Sequence, residues 1–157
     1  MRYFFLFIIF SLLLSCNGGL EPPPNTDGIV EGVIRYSGGV ENWPEDSVNE
    51  VRIIAFKEFP PQDFLGAVLS GQAYFTDPLP LYGDSTNFSF TVEDAPIEIQ
   101  YIAVVQNYGT LFEWRPIGVY TETGNIEEHS KLFVEQGTSY TISINVDFEN
   151  LPPNPLE

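Results

Sequence analysis

The stretch YTISINVDFE, residues 140–149, decides the fold class because its apolar and polar side chains alternate without interruption. Apolar residues on one face of a helix recur every three or four positions, whereas successive side chains of a strand point to opposite faces. We therefore predict a β-strand with one buried face. The residues expected on that face are Tyr140, Ile142, Ile144, Val146 and Phe148.

The same alternation recurs upstream in shorter segments, which are separated by the glycine, proline and acidic residues typical of turns. Residues 97–106 are apolar on one face and partly apolar on the other, which predicts a central strand. Residues 63–69 form the predicted helix, with Asp63 as its N-cap. Seven strands in all favour an all-β, two-sheet β-sandwich. They are residues 29–36, 51–56, 88–92, 97–106, 114–120, 131–134 and 140–148.

Four of these segments suggest a family. They are GVIRY at 32–36, VRIIAF at 51–56, YIAVV at 101–105 and LFV at 132–134. Their pattern resembles the transthyretin-like (prealbumin-like) sandwich of carboxypeptidase regulatory-like domains, and the likeness covers roughly residues 29–148. An immunoglobulin-like Greek key is the alternative topology. Such domains often have a glycine turn before the tyrosine strand, where this chain has Asp94-Ala95-Pro96.

Hydroxyisourate hydrolases share this general fold, and a resemblance to them would imply catalysis by histidines, an arginine and a C-terminal tetrapeptide. This chain contains a single histidine, His129, and its last four residues are Asn-Pro-Leu-Glu. The resemblance to the hydrolases therefore fails at the catalytic residues. His129 follows Glu127-Glu128 in a predicted turn, and we expect it to be an exposed residue with no catalytic role.

The first residues have the order of an export signal, because Arg2 supplies a positive charge and residues 4–14 are apolar apart from Ser11. A transmembrane helix needs about 20 apolar residues, so this run is too short to span a bilayer. Residues 13–16, Leu-Leu-Ser-Cys, resemble the lipobox of bacterial lipoproteins. The resemblance implies diacylation of the Cys16 thiol, cleavage before it and acylation of the new amino terminus, which together anchor a protein stably. The alternative is an ordinary signal peptide followed by an incidental cysteine.

Composition divides the chain into four predicted segments. Residues 1–15 are the lipoprotein signal peptide, and residues 16–27 are the lipidated cysteine with a flexible tether that contains a glycine pair and three prolines. Residues 28–149 form the β-sandwich domain, and residues 150–157 are a proline-rich tail that cannot continue a strand. We expect a protein anchored in a bacterial cell envelope, with the outer membrane or the cell surface favoured over the inner membrane.

The chain is strongly acidic, with 22 aspartates and glutamates against 6 lysines and arginines and a net charge of −16. Nucleic acid is excluded as a partner, because its binding draws affinity from lysine and arginine contacts to phosphate. Anionic lipid headgroups would also repel this protein, so the lipid anchor is the expected membrane contact. With one cysteine in the sequence, the fold must depend on packing rather than on disulfides. We expect a monomer whose partner is an envelope protein or a glycan.

Two predicted loops contain residues suited to ligand binding. Residues 82–87 are rich in oxygen-bearing side chains, and Asp84 is the candidate ligand for calcium. Residues 107–114 place Tyr108, Phe112 and Trp114 around one loop, where aromatic rings are suited to bind a sugar. The alternative, which we favour, is that Phe112 and Trp114 cap the open end of the core, because a sandwich of this size needs large side chains at its ends.

No cofactor is predicted, because the sequence lacks a glycine-rich phosphate loop and the histidine and cysteine sets that bind zinc. A pair of carboxylates for glycoside hydrolysis stays open as an alternative, since the sequence does not fix the distances between the 22 acids. We therefore predict a non-catalytic binding, structural or accessory module. Carbohydrate binding, calcium binding and a hydrolase activity are the alternatives.

Overall fold

The computed structural model describes residues 27–155. The predicted signal peptide, Cys16 and nearly all of the predicted tether lie outside the described residues. Within them the structure is all-β, as the alternation predicts, with nine strands and two short helices. The strands are β1 (Gly28–Tyr36), β2 (Glu50–Phe56), β3 (Ala73–Phe75), β4 (Ser85–Val92), β5 (Ile97–Ile99), β6 (Tyr101–Asn107), β7 (Trp114–Val119), β8 (Leu132–Val134) and β9 (Ser139–Val146). The helices are a 3-10 helix (Gly39–Asn42) and α1 (Phe64–Leu69).

The described residues form nine strands in three sheets, where the sequence predicted seven strands in two. Part of the difference arises at Gln100, which divides the predicted strand 97–106 into β5 and β6. β5 pairs with β8, whereas β6 pairs with β2 and β7, so the two halves belong to different sheets. The additional strand, β3, has three residues and is too short to show a period of two.

The two larger sheets have the strand orders β4-β1-β9 and β3-β2-β6-β7. All neighbours are antiparallel except β1 and β9, which run parallel with Val30 opposite Tyr140. β6 lies between β2 and β7, which confirms the prediction that this segment is a central strand.

The main core contains side chains from both larger sheets, and its members follow the predicted period of two. On β1, Val30 and Ile34 are fully buried, whereas Glu31 between them is exposed. On β9, Ile142, Ile144 and Val146 are buried as the sequence predicts. These residues form one cluster with Ile53 of β2 and with Ile102 and Val104 of β6.

β6 is buried on both faces, because all seven of its residues are buried. Its second face contributes Tyr101, Ala103 and Val105 to another apolar cluster, which α1 covers through Phe64. The position of α1 agrees with the prediction, since the Asp63 side chain accepts a hydrogen bond from the Gly66 amide and caps the helix.

The domain has a near end, where β1 begins, and a far end, where β1 ends. β4 is antiparallel to β1 and therefore ends at the near end. An ion pair of 2.8 Å between Lys57 and Asp94 joins the residue after β2 to the connection after β4, so β2 also ends at the near end. Because Glu50 pairs with Asn107, β6 ends and β7 begins at the far end.

Trp43 closes the core at the far end. Its side chain is buried, its ring lies 4.4 Å from that of Tyr36 and 5.1 Å from that of Phe148, and its indole N–H donates to the Gly83 carbonyl at 2.9 Å. Phe112 and Trp114, which the sequence suggested as caps of the core, do not occupy this position. The rings that close the core instead come from the connection after β1 and from the residues after β9.

We predict that Gly32→Ala destabilises the fold, because a β-carbon at this position in β1 would overlap the backbone carbonyl oxygen of Ile142. Overpacking of this kind lowers the free energy of unfolding by about 1–3 kcal/mol. Urea denaturation of the variant and of the wild type measures the difference. Glu31→Ala, one residue away and exposed, is the control and should change the value by less than about 0.5 kcal/mol. An equal change in the free energy of unfolding for the two substitutions would contradict the close approach of β1 to β9 at Gly32.

Candidate functional site

The candidate site is a cavity on the outer face of the four-stranded sheet, the face turned away from the main core. This cavity, which we call the outer cavity, has a volume of about 120 Å³. Ile54, Phe75 and Val105 form its wall on the sheet, and α1 and the segment that leads into β7 form its other walls. The outer cavity exists because α1 has six residues and cannot cover the whole apolar face.

Trp114 is held in the wall of the outer cavity by two contacts. As the first residue of β7 it pairs with Asn107, and its indole N–H donates to the Leu111 carbonyl at 2.8 Å. Its ring meets the edge of the Phe75 ring, with the ring centres 5.5 Å apart. Leu111 lines the same cavity. The backbone therefore fixes the indole before any ligand arrives.

The loop of residues 108–113, which we call the far-end loop, is tied together by hydrogen bonds. Backbone bonds join Tyr108 to Glu113 at 3.1 Å and Glu113 to Thr110 at 3.0 Å. The side chain of Asn107 donates to the Thr110 carbonyl at 2.6 Å, and that of Asn49 donates to the Gly109 carbonyl at 3.0 Å. The Thr110 backbone N–H also bonds to the Glu113 carboxylate and lowers the pKa of that group. The loop is thus preorganised.

Charged groups at the rim of the outer cavity neutralise one another. Arg52 and Glu50 form an ion pair, and both residues line the cavity. The Arg52 guanidinium also lies 4.6 Å from the centre of the Phe75 ring and donates to the Thr76 carbonyl at 2.7 Å. The protein therefore holds the arginine in place, and the cavity walls beyond this pair are apolar.

Large apolar side chains are exposed beside the outer cavity. Leu111 and Phe112 of the far-end loop are 65% and 76% exposed, and Leu69 at the end of α1 is 79% exposed. We call Leu111 and Phe112 the apolar tip. Exposed apolar groups next to a cavity are typical of binding surfaces.

The three predicted sugar-binding residues have different neighbours in the structure. Trp114 is half-buried in the cavity wall, whereas Phe112 is exposed on the apolar tip and does not cap the core. Tyr108 is 38% exposed, and the Arg115 guanidinium lies over its ring, 5.1 Å from the ring centre of Tyr108. Their role in sugar binding stays a prediction.

Leu111, Phe75 and α1 are parts of this site that were not expected from the sequence. Leu111 carries at most a weak signal, because a single leucine in a predicted turn is common on protein surfaces and does not mark a site. Phe75 and α1 carry no such signal, since their place beside Trp114 depends on how the strands pair.

The candidate calcium ligand, Asp84, has a structural contact. Its carboxylate accepts a hydrogen bond of 3.1 Å from the Val40 amide and so attaches the 3-10 helix to the start of β4. Within residues 27–155 no group of three or more histidine, cysteine, aspartate or glutamate side chains is placed to hold a metal ion. Calcium binding by Asp84 stays a prediction.

His129 lies in a second cavity on the outer face, with a volume of about 190 Å³. The residue is half-buried rather than exposed as predicted, because its ring packs 4.3 Å from that of Phe59 and 5.2 Å from that of Tyr101. This burial lowers the pKa of His129, and the nearby charge of Lys131 lowers it further. Burial also raises the pKa of the Tyr101 hydroxyl, which has no hydrogen-bond partner among the described residues.

Comparison with known proteins gives little guidance. No protein family and no curated protein matches the sequence. A solved structure of a leucine-rich repeat protein from Bacteroides thetaiotaomicron is similar over 84% of this chain, with 6% sequence identity and a TM-score of 0.33. The chain spans 14% of the length of that protein. A likeness this weak carries no argument about fold or function. In the part of the chain that the structure describes, no helix has the length and apolar character needed to cross a membrane.

We predict that His129 titrates below its usual pKa of about 6.5 and is neutral at pH 7. As the chain has one histidine, its ring proton signal in an NMR pH titration is assigned without further work. Because the folded pKa lies below the unfolded one, this group stabilises the fold above about pH 6.5, and the contribution is lost as the pH falls toward the folded pKa.

Lys131→Gln should raise the pKa of His129, because it removes the second cause of the shift. Lys57→Gln is the matched control, since Lys57 pairs with Asp94 and is not among the causes of that shift. A titration midpoint at or above 6.5 in the wild type would contradict the burial of this ring.

Proposed function

We propose that the protein is a lipid-anchored, non-catalytic binding module of a bacterial cell envelope, and that its fold is a transthyretin-like sandwich. The observation that carries the binding role is the outer cavity, which lies beside the exposed Leu111 and Phe112. A domain that keeps such side chains in water loses the free energy that their burial would supply, at roughly 25 cal/mol per Å² of apolar surface. A partner that covers them would recover it.

The assignment to a transthyretin-like sandwich is supported by the sequence resemblance and by the arrangement of the core. Buried side chains of β1 and β9 form one cluster with those of β2 and β6, which belong to the other large sheet. The four segments that carry the resemblance correspond to the second half of β1, to most of β2 and β6, and to β8.

The anchor is supported by the lipobox-like residues 13–16. We predict that Cys16→Ala abolishes membrane retention, because it removes the thiol that would carry the diacylglycerol. The measurement is fractionation of cells that express the full chain, combined with metabolic labelling by a radioactive fatty acid. Ser15→Ala preserves a small residue before the cysteine and serves as the control that should remain labelled. A wild-type chain that takes up no label would overturn the anchor.

A second candidate function is carbohydrate binding, which the fixed indole of Trp114 beside the polar pair Arg52 and Glu50 favours. Aromatic faces and charged side chains are both used to hold sugars. If the protein binds a glycan here, we expect Trp114→Ala to weaken the affinity by about tenfold or more. Isothermal titration of the full chain against a glycan panel measures this.

Phe133→Ala is the control for the glycan titration, because Phe133 is an aromatic residue of β8 that is 54% exposed and lies outside the outer cavity. If the wild type binds no glycan of the panel, carbohydrate binding is excluded as the function of this site. The proposed binding role would then require another class of partner.

A further inference from the structure

We propose that the far end of the domain binds a basic polypeptide segment of an envelope partner and takes one large apolar side chain of that segment into the outer cavity. This inference rests on the binding role proposed above and names the class of partner. Four properties carry it, which are the volume of the cavity, the rigidity of its rim, the charge of the far end and the position of the apolar tip.

The volume selects a single side chain. Engineered protein cavities of about 150 Å³ with apolar walls hold one benzene molecule. At about 120 Å³ the outer cavity is somewhat smaller, and it is open to solvent on one side, so it can take one branched aliphatic group or one phenylalanine ring whose edge stays at the opening. Its walls include Val68, Phe75, Val105 and Trp114, which offer contacts to an apolar group and few hydrogen bonds. A polar sugar ring would leave most of its hydroxyls unpaired against these walls.

The rim is rigid before binding occurs. Backbone and side-chain hydrogen bonds hold the far-end loop closed, and Trp114 is fixed through its bond to Leu111. Ordering a flexible loop reduces the affinity that its contacts can supply, and a preformed loop avoids that cost. The apolar tip can therefore act as an anchor for a partner backbone that passes over the cavity.

The charge of the far end decides among the possible occupants. The connections at this end carry the carboxylates of Glu41, Glu45, Asp46, Asp84, Glu113 and Asp147, and the adjoining strand ends carry Arg35 and Arg115. Arg52 at the cavity rim is paired with Glu50, so acidic groups are in excess at this end. A second copy of this chain, with its own net charge of −16, would meet like charge here, and so would an anionic bilayer. A lysine-rich or arginine-rich segment is attracted instead, and electrostatic attraction raises the rate at which it arrives.

The apolar tip faces away from the point where the anchored segment enters the domain. The described chain enters β1 at the near end, and β1 has nine residues, so the strand separates the two ends by about 30 Å. The far-end loop follows β6 and precedes β7 at the far end. A tether that leaves from the near end would present the apolar tip to partners beyond the anchoring membrane.

The test uses the full chain in nanodiscs of zwitterionic lipid and fluorescein-labelled heptapeptides, with binding followed by fluorescence anisotropy. The probe peptide has one phenylalanine, flanked by glycines, between two pairs of lysines. One comparison peptide replaces the phenylalanine by alanine, and the other replaces the lysines by glutamates. We expect the probe to bind about tenfold more tightly than either comparison peptide, and more weakly at high salt.

Phe112→Ala should weaken binding of the probe by about tenfold. Because the Phe112 side chain is 76% exposed, the substitution should not disturb folding. Phe133→Ala is the matched control and should bind as the wild type does, because β8 lies beside Gly28 at the near end. Leu111→Ala, at a second exposed position, repeats the test independently.

Equal binding of the phenylalanine and alanine peptides, or an equal effect of Phe112→Ala and Phe133→Ala, would overturn the proposal. So would binding of anionic vesicles or of a second copy at the apolar tip in place of the probe. Failure of Cys16 acylation is a separate outcome, since it removes the anchor and leaves the peptide measurement to be made on the unanchored full chain.

Discussion

The burial of β6 on both faces is the constraint on which the rest of the structure depends. Its alternate residues enter two apolar clusters, one between the larger sheets and one on the outer face. A strand with a single buried face needs one partner layer, whereas β6 needs two. The second layer is made from short pieces, namely α1, the segment that contains Ile126, and Trp114. A helix of six residues is not stable in isolation, so α1 depends on Phe64 and the apolar sheet beneath it.

The incomplete second layer explains why both described apolar cavities of the outer face occur where they do. One lies between α1 and Trp114, and the other contains His129 and Tyr101. Pieces this small cannot match the area of a four-stranded sheet, so gaps remain at their borders. In the His129 cavity the gap is lined by packed rings, with Phe59 stacked on Tyr101 and tilted against His129. At Trp114 the gap opens beside Leu111 and Phe112, which are 65% and 76% exposed, whereas Phe59 at the His129 cavity is 37% exposed. The larger exposed apolar surface makes the outer cavity the better candidate for a partner.

The sequence predicted which faces of the strands are buried but not which strands pair. Alternation in residues 140–149 and at Val30 and Ile34 identified the buried side, because side-chain direction is a local property of a strand. The division at Gln100 was missed because the two halves of that segment differ only in which strand they pair with, and pairing is not encoded in the period. The same reason hid the contact of Trp43 with Phe148, which are distant in the sequence and adjacent in the core. The composition indicated an aromatic loop at 107–114. It could not show that the ring of Trp114 lies in the cavity wall while that of Phe112 is exposed.

The separation of those rings follows from the strand that begins at Trp114. A residue inside β7 has its side-chain direction set by the ladder, and the outer face is the direction available to Trp114. Phe112 precedes the strand, has no such constraint and is exposed.

In a neutral protein, an exposed pair such as Leu111 and Phe112 would promote association between copies. The net charge of −16 opposes that association at every distance shorter than the screening length, which is about 8 Å at physiological salt. Acidic connections and an apolar tip are therefore complementary features of one surface, because the first keeps the second available to a partner of opposite charge.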